Sequence, residues 1–214
     1  MTATPVSTAA DRNKQPILDV LRQVLPQRGT ALEIASGTGQ HVAWFAAGLP
    51  GWNWQPTDAD PAALPAIVAA TAQSGLSNVR PPLRLDVLAP QWPAQGPPFA
   101  QAFDAVFCAN MLHISPWPTC AALMRGASRH LAAQGVLVTY GPYFEEDVAT
   151  APGNLSFHQS LRLRNAAWGI RRLHDVAQEA ALAGLRLKAR HAMPANNLLL
   201  VWQRDPAYST PSSS

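Results

Sequence analysis

Apolar and polar positions along this chain repeat as short apolar runs followed by amphipathic stretches. Residues 11–25 put Ile17, Val20, Leu21, Val24 and Leu25 on one face at helical spacing, with Pro16 tolerable only in a first turn. The run 30–36 predicts a first strand. Val42, Phe45, Ala46 and Leu49 mark a helix over 39–48, closed by Gly48 and Pro50. Trp52–Thr57 predicts strand two. Asp60-Pro61 then reads as an N-cap with proline at the first helical position, opening a helix that reaches Ser74-Gly75. Strand three is expected over 80–86, and the proline-rich stretch 89–101 as an irregular connection. Phe103–Ala109 is a near-continuous apolar run, the mark of a strand buried on both faces. A helix over 117–132, a strand over Gly135–Tyr140 and a helix over 170–183 follow. Strands 185–193 and 197–204, joined by Pro194-Ala-Asn-Asn197, complete the pattern.

Five strands alternating with helices, then two joined by a short turn, specify an α/β fold. The sheet is mostly parallel, has seven strands and ends in an antiparallel hairpin. One domain is expected over 11–204, with 1–10 a flexible N-terminus and 205–214 a disordered tail. The stretch 141–168, rich in Gly, Pro, Asn and aromatics, reads as a long insertion of the kind that covers a substrate. Ligands on such sheets bind beyond the C-terminal ends of the strands.

Composition narrows the function. Of 214 residues, 48% are hydrophobic and 14% charged, which is globular and not disordered. No apolar run has the length of a membrane span, and MTATPVSTAADRNK lacks a signal peptide's apolar core. Cytoplasmic residence without a membrane partner is the expectation. Cys108 and Cys120 make neither a disulfide framework nor a metal cluster, so no metal is expected. The net charge of +3 gathers in Arg162, Arg164, Arg171, Arg172, Arg186, Lys188 and Arg190. The plain reading is a solvated basic face; the sharper one is an anionic substrate. No aromatic-interleaved RNA motif accompanies it, so nucleic acid is not an expected partner. Homo-oligomerisation stays open.

Chemistry concentrates where strands end. Within Ala31–His41, Gly37 and Gly39 match the first two glycines of a dinucleotide turn, but Val42 stands where the third belongs. Glu33 lies inside the strand before the turn. Asp58, after strand two, can accept both ribose hydroxyls of an adenosine or cap a helix, a role Asp60 also offers. Asp86, followed by Val87, can accept from an adenine amino group or simply end a strand. Asn110 ends strand four. His113 is a candidate general base or a structural hydrogen-bonder, and Trp117 lines a pocket or packs in the core. Tyr140 and Tyr143 can position a substrate or pack. Glu145, Glu146 and Asp147 read as solvated surface.

These motifs in this order resemble class I S-adenosylmethionine (SAM)-dependent methyltransferases. Within that class the chain looks like the family called domain of unknown function 938, related to methyltransferase-like protein 26. The resemblance rests on AADRNKQPIL (9–18), LEIASGTGQH (32–41), WQPTDAD (54–60), LDV (85–87), NMLHISPW (110–117), YGPY (140–143), RNAAWGIRR (164–172) and MPANNLLLVWQR (193–204), and covers roughly 9–204. It implies a Rossmann-like methyltransferase fold with helices on both faces of the sheet, SAM as cofactor and methyl transfer (EC 2.1.1.-). Glu33, Ala35, Gly37 and Gly39 would form the methionine-side turn. Asp58 would bind ribose, Asp86 would lie near adenine, and Val87 and Asn110 would also contact the cofactor. Arg12 and Asn13 would cover the cofactor, Arg12 pairing its carboxylate. The chain departs from the family pattern at His158, after Phe157, and at Arg172, after WGIR, where acidic residues are frequent.

Methyl transfer from a sulfonium is an in-line displacement whose chemistry lies largely in the cofactor. The protein supplies alignment, an effect of about 7–11 kcal/mol. His113, with Tyr140, Tyr143 or Asn196, would orient or deprotonate an O, N or S nucleophile. Trp117, Arg162 and Asn196 would bind the acceptor, a small molecule and, given the arginines, an anionic one. Two alternatives stand: a SAM-binding protein without transferase activity, acting as a sensor or partner subunit, and a nicotinamide-dependent oxidoreductase, against which Val42 counts.

Overall fold

The computed structural model describes residues 7–93 and 95–207; the outermost parts of the expected N-terminal and C-terminal segments lie outside them. Its elements are α1 (Thr8–Val24), β1 (Gly29–Ile34), α2 (Gln40–Gly48), β2 (Trp52–Asp58), α3 (Leu64–Gln73), β3 (Leu83–Arg84), β4 (Phe103–Ala109), α4 (Pro118–His130), β5 (Leu131–Gly141), β6 (Tyr143–Phe144), α5 (Pro152–Arg164), β7 (Arg171–Arg172), α6 (Leu173–Leu182), β8 (Leu185–Met193) and β9 (Asn197–Arg204). The main sheet has seven strands, mostly parallel, with an antiparallel C-terminal pair, as the strand–helix rhythm predicts. Two compact units divide the chain, one ending at Cys108 and the other beginning at Ala109.

In the first unit the strand order is β3-β2-β1-β4, all parallel, with Gly29 opposite Trp52, Ile34 opposite Cys108 and Thr57 opposite Leu83. The core holds Leu32, Val42, Phe45, Trp52, Trp54, Ile67 and Phe107. Phe45 meets Phe107 edge-on at 5.1 Å and Trp54 at 5.7 Å. Helix α1 starts earlier than the apolar pattern indicates, because Ser7 caps it by accepting from the Ala10 N–H. Pro16 therefore lies inside the helix, where its missing N–H leaves the Arg12 carbonyl without its usual bond. Strand β3 is only two residues long. Pro81 and Pro82 cannot donate to a ladder, so contact with β2 is made in part before them, by the Arg80 N–H to the Trp54 carbonyl at 2.8 Å.

In the second unit β5, β9 and β8 are antiparallel, Val136 facing Gln203 and Met193 facing Asn197. Their core holds Leu137, Val138, Leu199, Leu200, Val201 and Trp202, with Leu123, Met124, Val176 and Ala180 from the helices. The stretch 141–168, expected as a long insertion, has regular structure. It contains β6 and the 13-residue helix α5, and β6 pairs in parallel with β7. Pro152 opens α5, whose buried residues are only Asn154 and Leu161, while Leu155, Phe157 and Leu163 are exposed. A helix buried on so narrow a face carries no apolar stripe to read. Because Arg171 and Arg172 are in β7, α6 begins at Leu173 and not at 170.

Candidate functional site

The first unit gathers polar groups at the end of β1. Ala35, Gly37 and Gly39 all have left-handed backbones, with φ of +57°, +57° and +75°. The turn is latched to β2: the Ser36 N–H donates to the Thr57 carbonyl at 2.9 Å, the Thr57 N–H to Ser36 Oγ at 3.1 Å, and the Gly37 N–H to Asp58 Oδ2 at 2.8 Å. The two glycines do different work. A Cβ on Gly39 would lie 2.8 Å from the Ile67 Cα, so this glycine lets α3 pack against the turn. A Cβ on Gly37 would meet nothing within 4 Å, so open space lies over it. Val42, in the third-glycine position, is fully buried in α2.

Glu33 is buried, and its Oε2 has no hydrogen-bond partner among the described residues. Burial lifts its pKa to about 7; a Ser36 hydrogen bond opposes the lift and the Asp58 charge adds to it. A buried carboxylate oxygen without a partner is costly, and a cationic ligand beside it removes that cost. The residues thus fit a group that brings positive charge, as the methionine portion and sulfonium of SAM do.

Asp58 is half-buried and accepts from the Gly37 and Asp60 N–H groups. The capping role falls to Asp60, which accepts from the Ala62 N–H at 2.9 Å, and Asp58 keeps lone pairs for further donors. Asp86 is exposed and accepts from the Leu88 N–H at 2.9 Å, while Val87 is buried. Arg12 is exposed, and its side chain makes no hydrogen bond or ion pair among the described residues. Asn13 Oδ1 is 2.6 Å from His41 Nε2. His41 stacks on Phe45, with centroids 5.3 Å apart, and burial lowers its pKa to about 4, with Lys14 adding to the effect. The sequence reading passed over His41 and Gln40. Gln40 Oε1 accepts from the Ser7 N–H and the Thr38 hydroxyl. The signal for His41 was its four-residue spacing from Phe45.

The second unit carries its own cluster. Asn110 has φ +61° and donates its N–H to the Tyr140 carbonyl at 2.8 Å. A short helical turn, Leu112–Ile114, presents His113. The His113 carbonyl accepts from the Gly169 N–H at 2.9 Å, and its ring stands edge-on to Phe157 at 5.5 Å. Gly141 makes room for that ring: a Cβ there would lie 3.2 Å from His113 Nδ1. Burial lowers the His113 pKa to about 4, helped by the charges of Arg171 and Arg164. His113 is therefore neutral near pH 7, as a base must be, but a weaker base than an ordinary histidine.

Arg171, which the sequence shows only as part of a basic stretch, a solvated face or an anion site, donates to the carbonyls of Leu112, Ser115 and Ala167. Its guanidinium also lies over Trp117 at 5.6 Å. Trp117 and Arg162 line a cavity of about 510 Å³ with Phe144, Trp168 and Arg172. Asn196 lines a separate cavity of about 170 Å³ with Tyr143 and Asn154, and its carbonyl accepts from Asn154 Nδ2 at 3.0 Å. Arg162 and Asn196 thus do not share a cavity. Tyr140 and Tyr143 are buried. The Tyr143 hydroxyl donates to Thr139 Oγ1 at 3.0 Å, and Trp202 Nε1 donates to the same oxygen. Glu145 is not free surface: it holds Arg190 through two bonds of 2.6 and 2.7 Å. Among the described residues no group of three or more His, Cys, Asp or Glu is placed to hold a metal, and no helix is long and apolar enough to cross a membrane.

The family model described as Protein of unknown function (DUF938) matches residues 4–204. Solved structures similar to this chain include an O-methyltransferase family protein from Burkholderia thailandensis, with TM-score 0.76 and 20% identity over 94% of this chain and 58% of that one. An O-methyltransferase family 2 protein from Planctomyces limnophilus, in complex with apigenin, has TM-score 0.74 and 18% identity over 92% and 60%. CalO1, a methyltransferase in calicheamicin biosynthesis in its SAH bound form, has TM-score 0.73 and 15% identity over 92% and 55%. At these identities the likeness shows the fold, and this chain spans less than two thirds of each of those proteins.

Proposed function

The chain belongs to the family described as Protein of unknown function (DUF938), and on that premise we propose that it is a SAM-dependent methyltransferase acting on a small molecule. The observation that carries this reading is the buried, unpartnered Oε2 of Glu33 beside a glycine turn with open space over Gly37. The shared fold with proteins titled as methyltransferases supports it.

Glu33 receives the positive charge of the cofactor's methionine portion, and Gly37 leaves room for its approach. Asp58 accepts the ribose hydroxyls, Asp86 and Val87 meet the adenine, and Arg12 pairs the cofactor carboxylate. When bound, SAM would supply an electrophilic methyl carbon on its sulfonium, with S-adenosylhomocysteine as the leaving group. As a base, His113 would suit only an acceptor acidic enough for a weak base, such as a thiol or an acidic phenol. Asn110, fixed by its bond to Tyr140, holds the strand end that leads to His113.

A second reading is a SAM-binding protein that transfers no methyl group. The low basicity of His113 and the Tyr143 hydroxyl held by Thr139 favour it. Calorimetric titration with SAM and NADH, followed by a tritiated-methyl assay over acids, phenols, amines and thiols, separates the readings. SAM binding with methyl incorporation supports the transferase. Tight SAM binding with no acceptor in any class supports the second reading. Binding of NADH and not SAM sinks both.

A further inference from the structure

We propose that the 510 Å³ cavity beside Trp117 binds a planar aromatic molecule carrying a carboxylate or a phosphate. As a statement about the methyl acceptor this rests on the methyltransferase reading; as a statement about binding it does not. The volume suits a small-molecule site.

Other arginines of the second unit already have partners. Arg190 is held by Glu145, Arg171 by three carbonyls, and Arg204 by the carbonyls of Ser128 and Leu131. Arg164 lies over the Trp168 ring at 5.6 Å. Arg162 and Arg172 both line the cavity, and neither side chain makes a hydrogen bond or ion pair among the described residues. They arrive from different elements, the last turn of α5 and the end of β7. Two like charges brought to one cavity without a counter-charge each are unfavourable until an anion joins them. Three arginines line this cavity against a single carboxylate, Asp175. His158 adds no positive charge, because its Nδ1 accepts from the Ile170 N–H at 3.1 Å.

The shape of the ligand follows from the rest of the wall. Trp117, Phe144 and Trp168 put aromatic surface on the cavity wall, which favours a planar ring. A guanidinium fork matches the paired oxygens of a carboxylate or phosphate. The wall is also tied to His113: the Gly169 N–H donates to the His113 carbonyl, and Arg171 pins the residues on both sides of that histidine. A ligand held by Arg162 and Arg172 therefore sits in fixed register with His113.

The test titrates 2-naphthoate, 2-naphthyl phosphate and neutral 2-naphthamide into the full chain without SAM, by calorimetry. At least one anion is expected to bind ten-fold or more tightly than the amide, and comparing the two anions identifies the headgroup. Arg162→Gln and Arg172→Gln should each weaken that anion about ten-fold, roughly one charge-assisted hydrogen bond. Asp175→Asn should tighten it, a gain that a folding defect cannot imitate. Equal affinity for all three probes, or unchanged anion affinity in both arginine variants, overturns the proposal. SAM is titrated into the same preparations. SAM binding without anion preference removes this site and leaves the methyltransferase reading; anion preference without SAM binding does the reverse.

Discussion

Arg171 donates from Nε to the Leu112 carbonyl at 2.9 Å, so one guanidinium fixes the turn that carries His113. The same group reaches Ser115 and Ala167, and a lysine ammonium cannot span all three carbonyls. Arg171→Lys is expected to lose about 2–3 kcal/mol of stability in urea unfolding, as charge-assisted bonds go unmade. Turnover should fall with it, because His113 loses its register.

Glu33→Gln should separate folding from binding. The Glu33 pKa of about 7 lies above the ordinary 4.5, so the folded state holds the extra proton between those values. Its contribution to stability is complete below pH 4.5 and is lost as pH rises through 7. At pH 8 the ligand-free variant should therefore be the more stable, by up to about 3 kcal/mol. Melting curves at pH 5 and pH 8 check this. SAM affinity should fall at least ten-fold in the variant, and in the wild type should climb as pH rises through 7.

His113 should show the opposite stability slope. Its folded pKa of about 4 lies below the ordinary 6.5. Stability from this group is complete above pH 6.5 and is lost as pH falls toward 4. His41 behaves likewise, and Glu33 opposes both between pH 4.5 and 7. His113→Asn should flatten the acid loss by up to about 1.4 kcal/mol per pH unit, read from melts between pH 4 and 7. A rate profile at saturating SAM should show no step near pH 6.5 from this histidine.

The two turn glycines should fail differently. Gly39→Ala puts a methyl 2.8 Å from the Ile67 backbone at φ +75°, and should cost at least about 2 kcal/mol of stability. Gly37→Ala meets open space and should cost only about 1 kcal/mol of backbone strain, while weakening SAM binding. Parallel melting and calorimetry measure both.

Tyr143→Phe should lose about 1 kcal/mol of stability, the hydroxyl's bond to Thr139, and leave turnover unchanged. A hundred-fold fall in turnover without loss of stability would return Tyr143 to the chemistry.

The proposed cofactor turn draws on residues that lie next to one another in the chain at strand ends, where a sequence shows them. Glu33, Gly37 and Gly39 fall within one turn, and Asp58 ends the neighbouring strand. Helix α5 was not legible, because it buries only Asn154 and Leu161 and so shows no apolar period. The work of Arg171 was hidden too: its partners Leu112 and Ser115 lie more than fifty residues away, and they are carbonyls, which no side-chain pattern announces.

The sequence by itself determined the strand–helix order, the parallel strands with their closing hairpin, and the glycine turn after an acid-bearing strand. Periodicity and turn chemistry are local, so they survive in a one-dimensional reading. Only the tertiary structure decided which polar groups are spent and which are free. Among the described residues it left Glu33 Oε2 buried without a partner, gave the Tyr143 hydroxyl to Thr139, bound Arg190 to Glu145, and left the Arg162 and Arg172 side chains free beside three aromatic rings. The physical reason is that burial and pairing depend on groups distant in the chain. They alone set whether a charge is a structural tie or a site awaiting a ligand.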